Sequence, residues 1–568
     1  MNTAQMTDYN LLWAKTILQE LAASGIKLFC LSPGARSSAL ALALASLKDA
    51  QKLIHFDERA SAFYAQGFVK ATGNPAALIC TSGTAGANYL PAILEASNAE
   101  LPLIIITADR PAELHFSGAN QTIEQANLYG NFPVWSFDLP TPADLPKIDF
   151  VRSITCEAAH QALTKKGPVH LNVRFREPLV QDRLEPFSAP EQPYKQYFSY
   201  QKALAPKALT VLSQAILESQ KGLIALGELP SHVSSEPILE IASYLNWPVL
   251  LDITSGARFS STSANACCQH DLYLRNSTWR SENSPDCVLR FGGAFTSKFL
   301  DQYLAKSTSN YFHISSSEKR FDTEAAITKK ISCEYDSVKS YILETEQLSS
   351  VGSKLLDVFL TQEKISRNKI QQALQDENEK QWSALFTVFT EFSNTRRAFF
   401  IGNSLAIREA EAVVPIQNKN CQIGSNRGAS GIDGLIASAC GFAQGLAQPI
   451  TLVIGDLSAL HDLNSFSLIS KSLYPVIIVI INNNGGAIFS HLDNLSEQSD
   501  FEEYFLTPHG LNFEAAALLF GLPYERTTST LDFKSIYQQT LSSNASKIIE
   551  VITDPKQAKS SFQSLFLE

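Results

Sequence analysis

Two short apolar runs near the C-terminal end constrain the fold more than anything else in the chain. Residues 451–454 stop at Gly455-Asp456, and residues 476–481 run straight into Asn482-Asn483-Asn484-Gly485-Gly486. An amphipathic segment separates them. Two buried parallel strands joined by one helix is the economical reading, because parallel strands need a crossover of about a dozen residues or more. Asp456 and the Asn-Gly cluster then sit on neighbouring strand ends, at the edge where open α/β sheets bind ligands.

The chemistry expected at that edge is hard-oxygen chemistry. Asp456 offers a carboxylate, Asn483 an amide oxygen and Gly485 an accessible backbone carbonyl, a set that suits an octahedral Mg²⁺ with room for two diphosphate oxygens and a water. Glycine also lets the backbone approach a phosphate closely. Asn-Gly alone reads as an ordinary turn. The acidic residue at the end of the preceding strand shifts the balance toward a ligand site, and the pair resembles the Gly-Asp…Asn-Asn signature of thiamin-diphosphate enzymes.

The remaining text alternates helices with short strands, which implies an α/β fold of three doubly wound parallel-sheet domains. Expected strands lie at 27–31, 52–56, 76–80, 103–106 and 169–173; at 222–226, 248–253, 288–291 and 311–314; and at 398–401, 451–454, 476–481 and 548–552. The irregular, proline-bearing stretch 181–206 reads as a linker, and 363–380 as a polar helix leading into the last unit. The expected domains are 1–182, 207–345 and 365–568. No tandem repeat or GxGxxG fingerprint is visible.

Composition narrows the class. A net charge of −10 over 568 residues argues against a general nucleic-acid binder, which needs a basic surplus to neutralise phosphates. Nine cysteines without a CxxC pair suit reduced thiols in a cytoplasmic protein. The first 25 residues read as an amphipathic helix rather than a signal peptide, and no apolar run approaches the roughly 20 residues of a membrane span.

Further candidates gather after the other strands. Glu58 opens a helix whose Ala60, Ala62, Ala65 and Gly67 permit close packing. Arg36, Arg110, Arg408 and Arg427 fall in strand-end or following-loop positions of an acidic chain, where guanidinium groups suit planar carboxylates. The segments SPGAR (32–36), HFDER (55–59), TSGTA (81–85), TADRP (107–111), GANQ (118–121), GNS (402–404) and SNRGASGIDG (425–434), followed by GDLSALHDLN (455–464), resemble the full motif set of the MenD family, the 2-succinyl-5-enolpyruvyl-6-hydroxy-3-cyclohexene-1-carboxylate synthases. The match runs in order from near residue 10 to near residue 555; the middle domain matches weakly.

The resemblance implies a transferase of menaquinone or phylloquinone biosynthesis that uses thiamin diphosphate and Mg²⁺, with Mn²⁺ as a substitute. Its substrates would be 2-oxoglutarate and isochorismate, and its assembly a homodimer or homotetramer. It implies that Glu58, shielded from water, hydrogen-bonds the cofactor's N1′. Ser82, Gly83, Ile432, Gly455, Asp456, Leu457, Ser458, Asn483, Gly485, Gly486, Ile488 and Phe489 are the implied cofactor contacts, with Asp456, Asn483 and Gly485 on the metal. Arg408 and Arg427 are assigned to the 2-oxoglutarate side, and Arg36, Arg110 and Lys298 to isochorismate, while Gln121 and Ser404 would donate hydrogen bonds to substrate oxygens. Phe299 stands where the family's pattern has a second cation after Lys298. Another thiamin-dependent carboligase or decarboxylase, and a non-catalytic protein that keeps the fold, are the alternatives; the arginine set weighs against the first, and Glu58, Asp456 and Asn483 together weigh against the second.

Overall fold

Strands of four to seven apolar residues, buried on both faces, build the centre of each sheet in the computed structural model, which describes residues 8–198, 204–306, 310–349, 351–375, 381–392, 397–492 and 497–567. Among the described residues, eighteen strands form three six-stranded sheets. The first comprises β1 (Leu28–Leu31), β2 (Gln51–Ile54), β3 (Ala76–Cys80), β4 (Leu103–Asp109), β5 (Trp135–Leu139) and β6 (Val169–Arg174), in the order β2-β1-β3-β4-β6-β5. The second comprises β7 (Gly222–Leu226), β8 (Val249–Leu251), β9 (Ala266–Cys267), β10 (Cys287–Phe291), β11 (Tyr311–Ser315) and β12 (Lys329–Ser332), ordered β12-β11-β10-β7-β8-β9. The third comprises β13 (Ala398–Ile401), β14 (Ile423–Ser425), β15 (Ile450–Gly455), β16 (Val476–Asn482), β17 (Tyr524–Thr527) and β18 (Lys547–Ile552), ordered β14-β13-β15-β16-β18-β17. Every pairing is parallel, as the alternating text predicts.

The chain divides into two compact units. One holds Met1–Ser199 together with Asn426–Ala447 and Leu460–Tyr474; the other holds Tyr200–Ser425, Gln448–Ala459 and Pro475–Glu568. Within the first unit, the helix Leu435–Leu446 lies against the helix Glu58–Thr72. Small residues permit that approach: a Cβ on Gly67 would stand 1.9 Å from the carbonyl oxygen of Ser438, and one on Gly441 1.9 Å from that of Tyr64. The close packing expected from the small residues after Glu58 is therefore present. The second unit contains the second and third sheets, and the core of the third joins residues of β13, β15, β16 and β18 to Trp382, Phe389 and Tyr537.

Four expectations need correction. The strand expected at 248–253 spans only Val249–Leu251, because Asp252 caps a 3₁₀ turn Ile253–Ser255 by accepting from the Thr254 N–H. The crossover after β15 is not one helix but a helix Asp456–His461, a 3₁₀ turn Leu463–Ser465 and a helix Phe466–Ile469. The strand expected at 52–56 stops at Ile54, because the Asp57 backbone N–H donates to His55 Nδ1 at 3.1 Å and turns the chain out of the sheet. The helix expected over 363–380 runs over Leu356–Gln375; residues 376–380 lie outside those described, as do 199–203 of the linker. All nine cysteines are free and buried, with Cys30 among those whose thiol is pushed up by burial. Among the described residues no helix is long and apolar enough to cross a membrane.

Candidate active site

The register of β15 on β16 pairs Gly455 with Ile481, which sets Asp456 beside the Asn482-Asn483 strand end. Asp456 is 2% exposed. Its Oδ1 accepts from the Leu457 N–H at 2.7 Å, and its Oδ2 from the Gly485 N–H at 2.9 Å and from His509 Nε2 at 3.1 Å. The Leu511 N–H donates to His509 Nδ1 at 2.9 Å, so the ring proton sits on Nε2, facing the carboxylate. Burial raises the Asp456 pKa, against the lowering by His509, Leu457 and Gly485. A cation beside this carboxylate would restore its charge.

Asn483 is 6% exposed and donates through Nδ2 to Gln381 Oε1 at 3.1 Å, while its Oδ1 has no hydrogen-bond partner. A buried acceptor left unpaired costs about 1–3 kcal/mol, and a bound cation removes that cost. Gly485 has φ +140°, and a Cβ there would meet the Leu506 carbonyl oxygen at 2.0 Å, so only glycine fits. Its own carbonyl accepts from the Ala487 N–H at 3.0 Å, which leaves a second lone pair. Carboxylate, amide oxygen and carbonyl fit a hard cation such as Mg²⁺. Among the described residues no group of three His, Cys, Asp or Glu could hold a metal, and this donor set does not require one.

The surrounding loop is tightly tied. Gly486 N–H donates to the Leu506 carbonyl at 2.7 Å, and Asn484 Oδ1 accepts from the His509 and Gly510 N–H groups. Ile488 is half-buried, and Phe489, 38% exposed, packs edge-on to Phe505 with centroids 6.0 Å apart. Leu457 is half-buried, Ser458 buried, and a Cβ on Gly455 would meet nothing within 4 Å.

Elsewhere in the second unit, Ser404 sits at the turn from β13 to the helix Leu405–Val413 with φ +69°, a left-handed conformation rare outside glycine. The exposed Arg408 donates to the Ser404 carbonyl at 2.7 Å. Lys298 is exposed at the first position of the helix Lys298–Ala305, its Nζ 5.1 Å from the Phe299 ring; Arg275 stacks on the same ring at 4.6 Å.

In the first unit, the carboxyl ends of β1 to β4 collect the other candidates. Arg36 and Arg110 are only 6% and 7% exposed. Arg36 donates to the Phe175 carbonyl at 3.0 Å and pairs with Glu177 at 3.0 Å, leaving its Nε unpartnered. Arg110 donates to the Gln121 carbonyl at 2.8 Å, and both burial and the Arg36 charge lower its pKa, with Asp109 and Glu177 opposing. Gln121 is exposed with φ +53°, its Cβ 3.4 Å from where a Cβ on Gly83 would stand. Gly83 N–H donates to Gln125 Oε1 at 2.8 Å, and the buried Ser82 Oγ is unpartnered. Glu58 begins its helix behind the Asp57 cap and accepts from Asn88 Nδ2 at 3.4 Å. It is half-buried, less shielded within this chain than the sequence reading requires.

Arg427 and Ile432 also belong to this unit. Their loop is held by Glu95, whose carboxylate accepts from the Gly428 and Ala429 N–H groups. Ile432 is 36% exposed. Thus Arg36, Arg110, Gln121, Ser82 and Gly83 share one sheet edge, Asp456, Asn483 and Gly485 another, and Lys298 follows the second sheet. Sequence reasoning missed His509 and Gln381, which touch Asp456 and Asn483; no spacing links either to the Asn-Gly loop.

Comparison with known proteins agrees with this layout. Residues 13–128 match the family described as thiamine pyrophosphate enzyme, N-terminal TPP binding domain; 180–389 match the middle domain of thiamine pyrophosphate enzymes; and 410–551 match the C-terminal TPP binding domain. The 2-succinyl-5-enolpyruvyl-6-hydroxy-3-cyclohexene-1-carboxylate synthase of Chlorobium phaeobacteroides is 36% identical, over 97% of this chain and 96% of its own. Those of Rubrobacter xylanophilus and Aeromonas salmonicida are each 34% identical, over 96% of both chains in the first case and over 95% of this chain and 94% of its own in the second. With a thiamin-diphosphate fold throughout and that identity along nearly its whole length, the chain belongs to the family of 2-succinyl-5-enolpyruvyl-6-hydroxy-3-cyclohexene-1-carboxylate synthases.

Proposed function

We propose that this enzyme decarboxylates 2-oxoglutarate and adds the resulting four-carbon unit to isochorismate in 1,4 fashion, a step of menaquinone or phylloquinone formation. Thiamin diphosphate, when bound, supplies the carbanion chemistry. Asp456, Asn483 Oδ1 and the Gly485 carbonyl would hold Mg²⁺, or Mn²⁺ in its place, which would neutralise the charge of the diphosphate. Glu58 holds a proton at N1′ of the pyrimidine ring; Ile432 would support the cofactor, and Ile488 and Phe489 form the wall beside the metal loop. Arg408 and Arg427 orient the 2-oxo acid, Arg36, Arg110 and Lys298 orient the acceptor, and Gln121 and Ser404 donate hydrogen bonds to substrate oxygens. In this reading residues 1–182 bind the pyrimidine, 365–568 the diphosphate, and 207–345 form the central domain.

The observation that carries the substrate assignment is the Arg36–Arg110 pair. Two nearly buried guanidinium groups that repel one another, with one orphaned N–H, are stabilised by an anion, and the substrates together bring several carboxylates. Incubation with thiamin diphosphate, Mg²⁺, 2-oxoglutarate and isochorismate, followed by mass detection, should yield the adduct; its absence from folded, cofactor-loaded protein would reject the assignment. We further propose an even homo-oligomer in the cytoplasm, each site completed by two chains. Mixing inactive Glu58→Gln and Asp456→Ala proteins should regenerate activity, and none after proven subunit exchange would refute it.

A further inference from the structure

Behind the metal loop lies a buried polar chain that the reaction does not explain. Glu409 is fully buried, and its two carboxyl oxygens stand 3.1 and 3.0 Å from Gln381 Nε2. Gln381 Oε1 in turn accepts from Asn483 Nδ2 at 3.1 Å and from Thr553 Oγ1 at 3.2 Å. Hydrogen-bond chemistry favours one direction for these bonds. A carboxylate only accepts, so the Gln381 amide must turn its NH₂ toward Glu409 and its oxygen away. Protonation leaves one oxygen as a pure acceptor facing the same NH₂. Asn483 must then turn its own NH₂ toward Gln381, which leaves Oδ1 as the outward atom. That oxygen has no hydrogen-bond partner. A network built only for stability has no reason to leave its outermost acceptor unpaired.

We infer that Gln381 and Glu409 are positioning residues that fix the amide of Asn483 so that oxygen, and not nitrogen, faces the metal. This rests on Asp456 and Asn483 being metal ligands. Without the relay, Asn483 could rotate its amide and present NH₂, a donor that repels a cation; partners behind a ligand commonly govern affinity in this way.

The test is Mn²⁺ affinity of the full-length protein at fixed thiamin diphosphate, with free Mn²⁺ read by electron paramagnetic resonance. Gln381→Met keeps the side-chain length without its polar ends, and Glu409→Leu removes the acceptor that orients Gln381. Each should weaken Mn²⁺ binding about 10–100-fold in protein that still melts cooperatively without metal. Asn483→Asp supplies oxygen on both sides and needs no orientation, so in that background either substitution should cost less than about threefold in Kd. Folded Gln381→Met and Glu409→Leu proteins with parental Mn²⁺ affinity would overturn the inference. So would a loss that persists undiminished beside Asn483→Asp, because it would mark general loosening. If Gln381→Met does not fold, Glu409→Leu carries the same comparison. Asp456→Ala separates the layers: parental affinity in that variant rejects the metal site itself, whereas lost affinity there with unaffected relay variants rejects only the relay.

Discussion

The first and third sheets share one topology and hold opposite chemistry. In each, the strands lie in the order second, first, third, fourth, sixth, fifth, and in each the loops after the central strands carry the candidates. The first sheet's edge presents two guanidinium groups and a half-buried Glu58; the third presents a buried Asp456 whose carboxylate accepts from Leu457, Gly485 and His509. Topology therefore decides where a site can form, while a few loop residues decide its charge and solvent access.

The sharpest way to break this contrast is to remove the two carboxylates one at a time. Glu58→Gln should slow exchange of the cofactor's C2 proton into deuterated water by about 10²–10⁴-fold with Mn²⁺ affinity unchanged; Asp456→Ala should lose metal affinity first. Equal effects on both readouts would erase the distinction. Next in size, truncating Arg36 or Arg110 to Ala should cost about 2–5 kcal/mol in binding the acceptor, the penalty for leaving one side of a buried charge pair alone. Single-turnover spectroscopy should show the first half-reaction intact in these two, and impaired in Arg408→Ala and Arg427→Ala; parental rates in all four would remove the cationic edge from the reaction.

Gly441→Ala probes the first unit's scaffold rather than its site. The added methyl meets the Tyr64 carbonyl at 1.9 Å, and overpacking of this kind destabilises by about 1–3 kcal/mol, readable as a lower melting midpoint. A separate effect belongs to pH. Burial pushes the Glu409 carboxyl from 4.5 up to about 8, so between those values the folded chain holds a proton that the unfolded chain has released. Stability is then fully retained below pH 4.5 and falls as pH rises to about 8, with a slope of at most about 1.4 kcal/mol per pH unit. The difference in stability between parent and Glu409→Leu should carry that slope; Glu411 and Asp462, raised by burial to about 7 and about 6, cancel from it. A flat difference would show that Glu409 does not titrate in this range.

The central strands were legible because burial on both faces writes an unbroken apolar run, as in β4 and β16. The five strands that went unread, β5, β9, β12, β14 and β17, are all sheet edges. Three of them, β5, β12 and β17, alternate or are largely half-exposed, and β9 and β14 have only two and three residues; neither pattern stands out from loop text. Asp456, Asn483 and Gly485 could be read because their chemistry lies within a strand-loop-strand unit. His509 and Gln381 could not, since only folding brings them from 53 and 102 positions away to Asp456 and Asn483.

The interleaving of the first unit bears on how the protein is made. Its helix Glu58–Thr72 is synthesised early, yet the helix that covers it, Leu435–Leu446, leaves the ribosome hundreds of residues later. Until then the small-residue face of the early helix has no cover, and closing so long a loop makes the step slow and the waiting chain prone to aggregation. An expressed fragment ending before residue 426 should accordingly be sticky and protease-sensitive around Ala65–Ala71, even though all six strands of its first sheet are present. The production order of the chain, not only its final packing, thus gives the last third a duty toward the first.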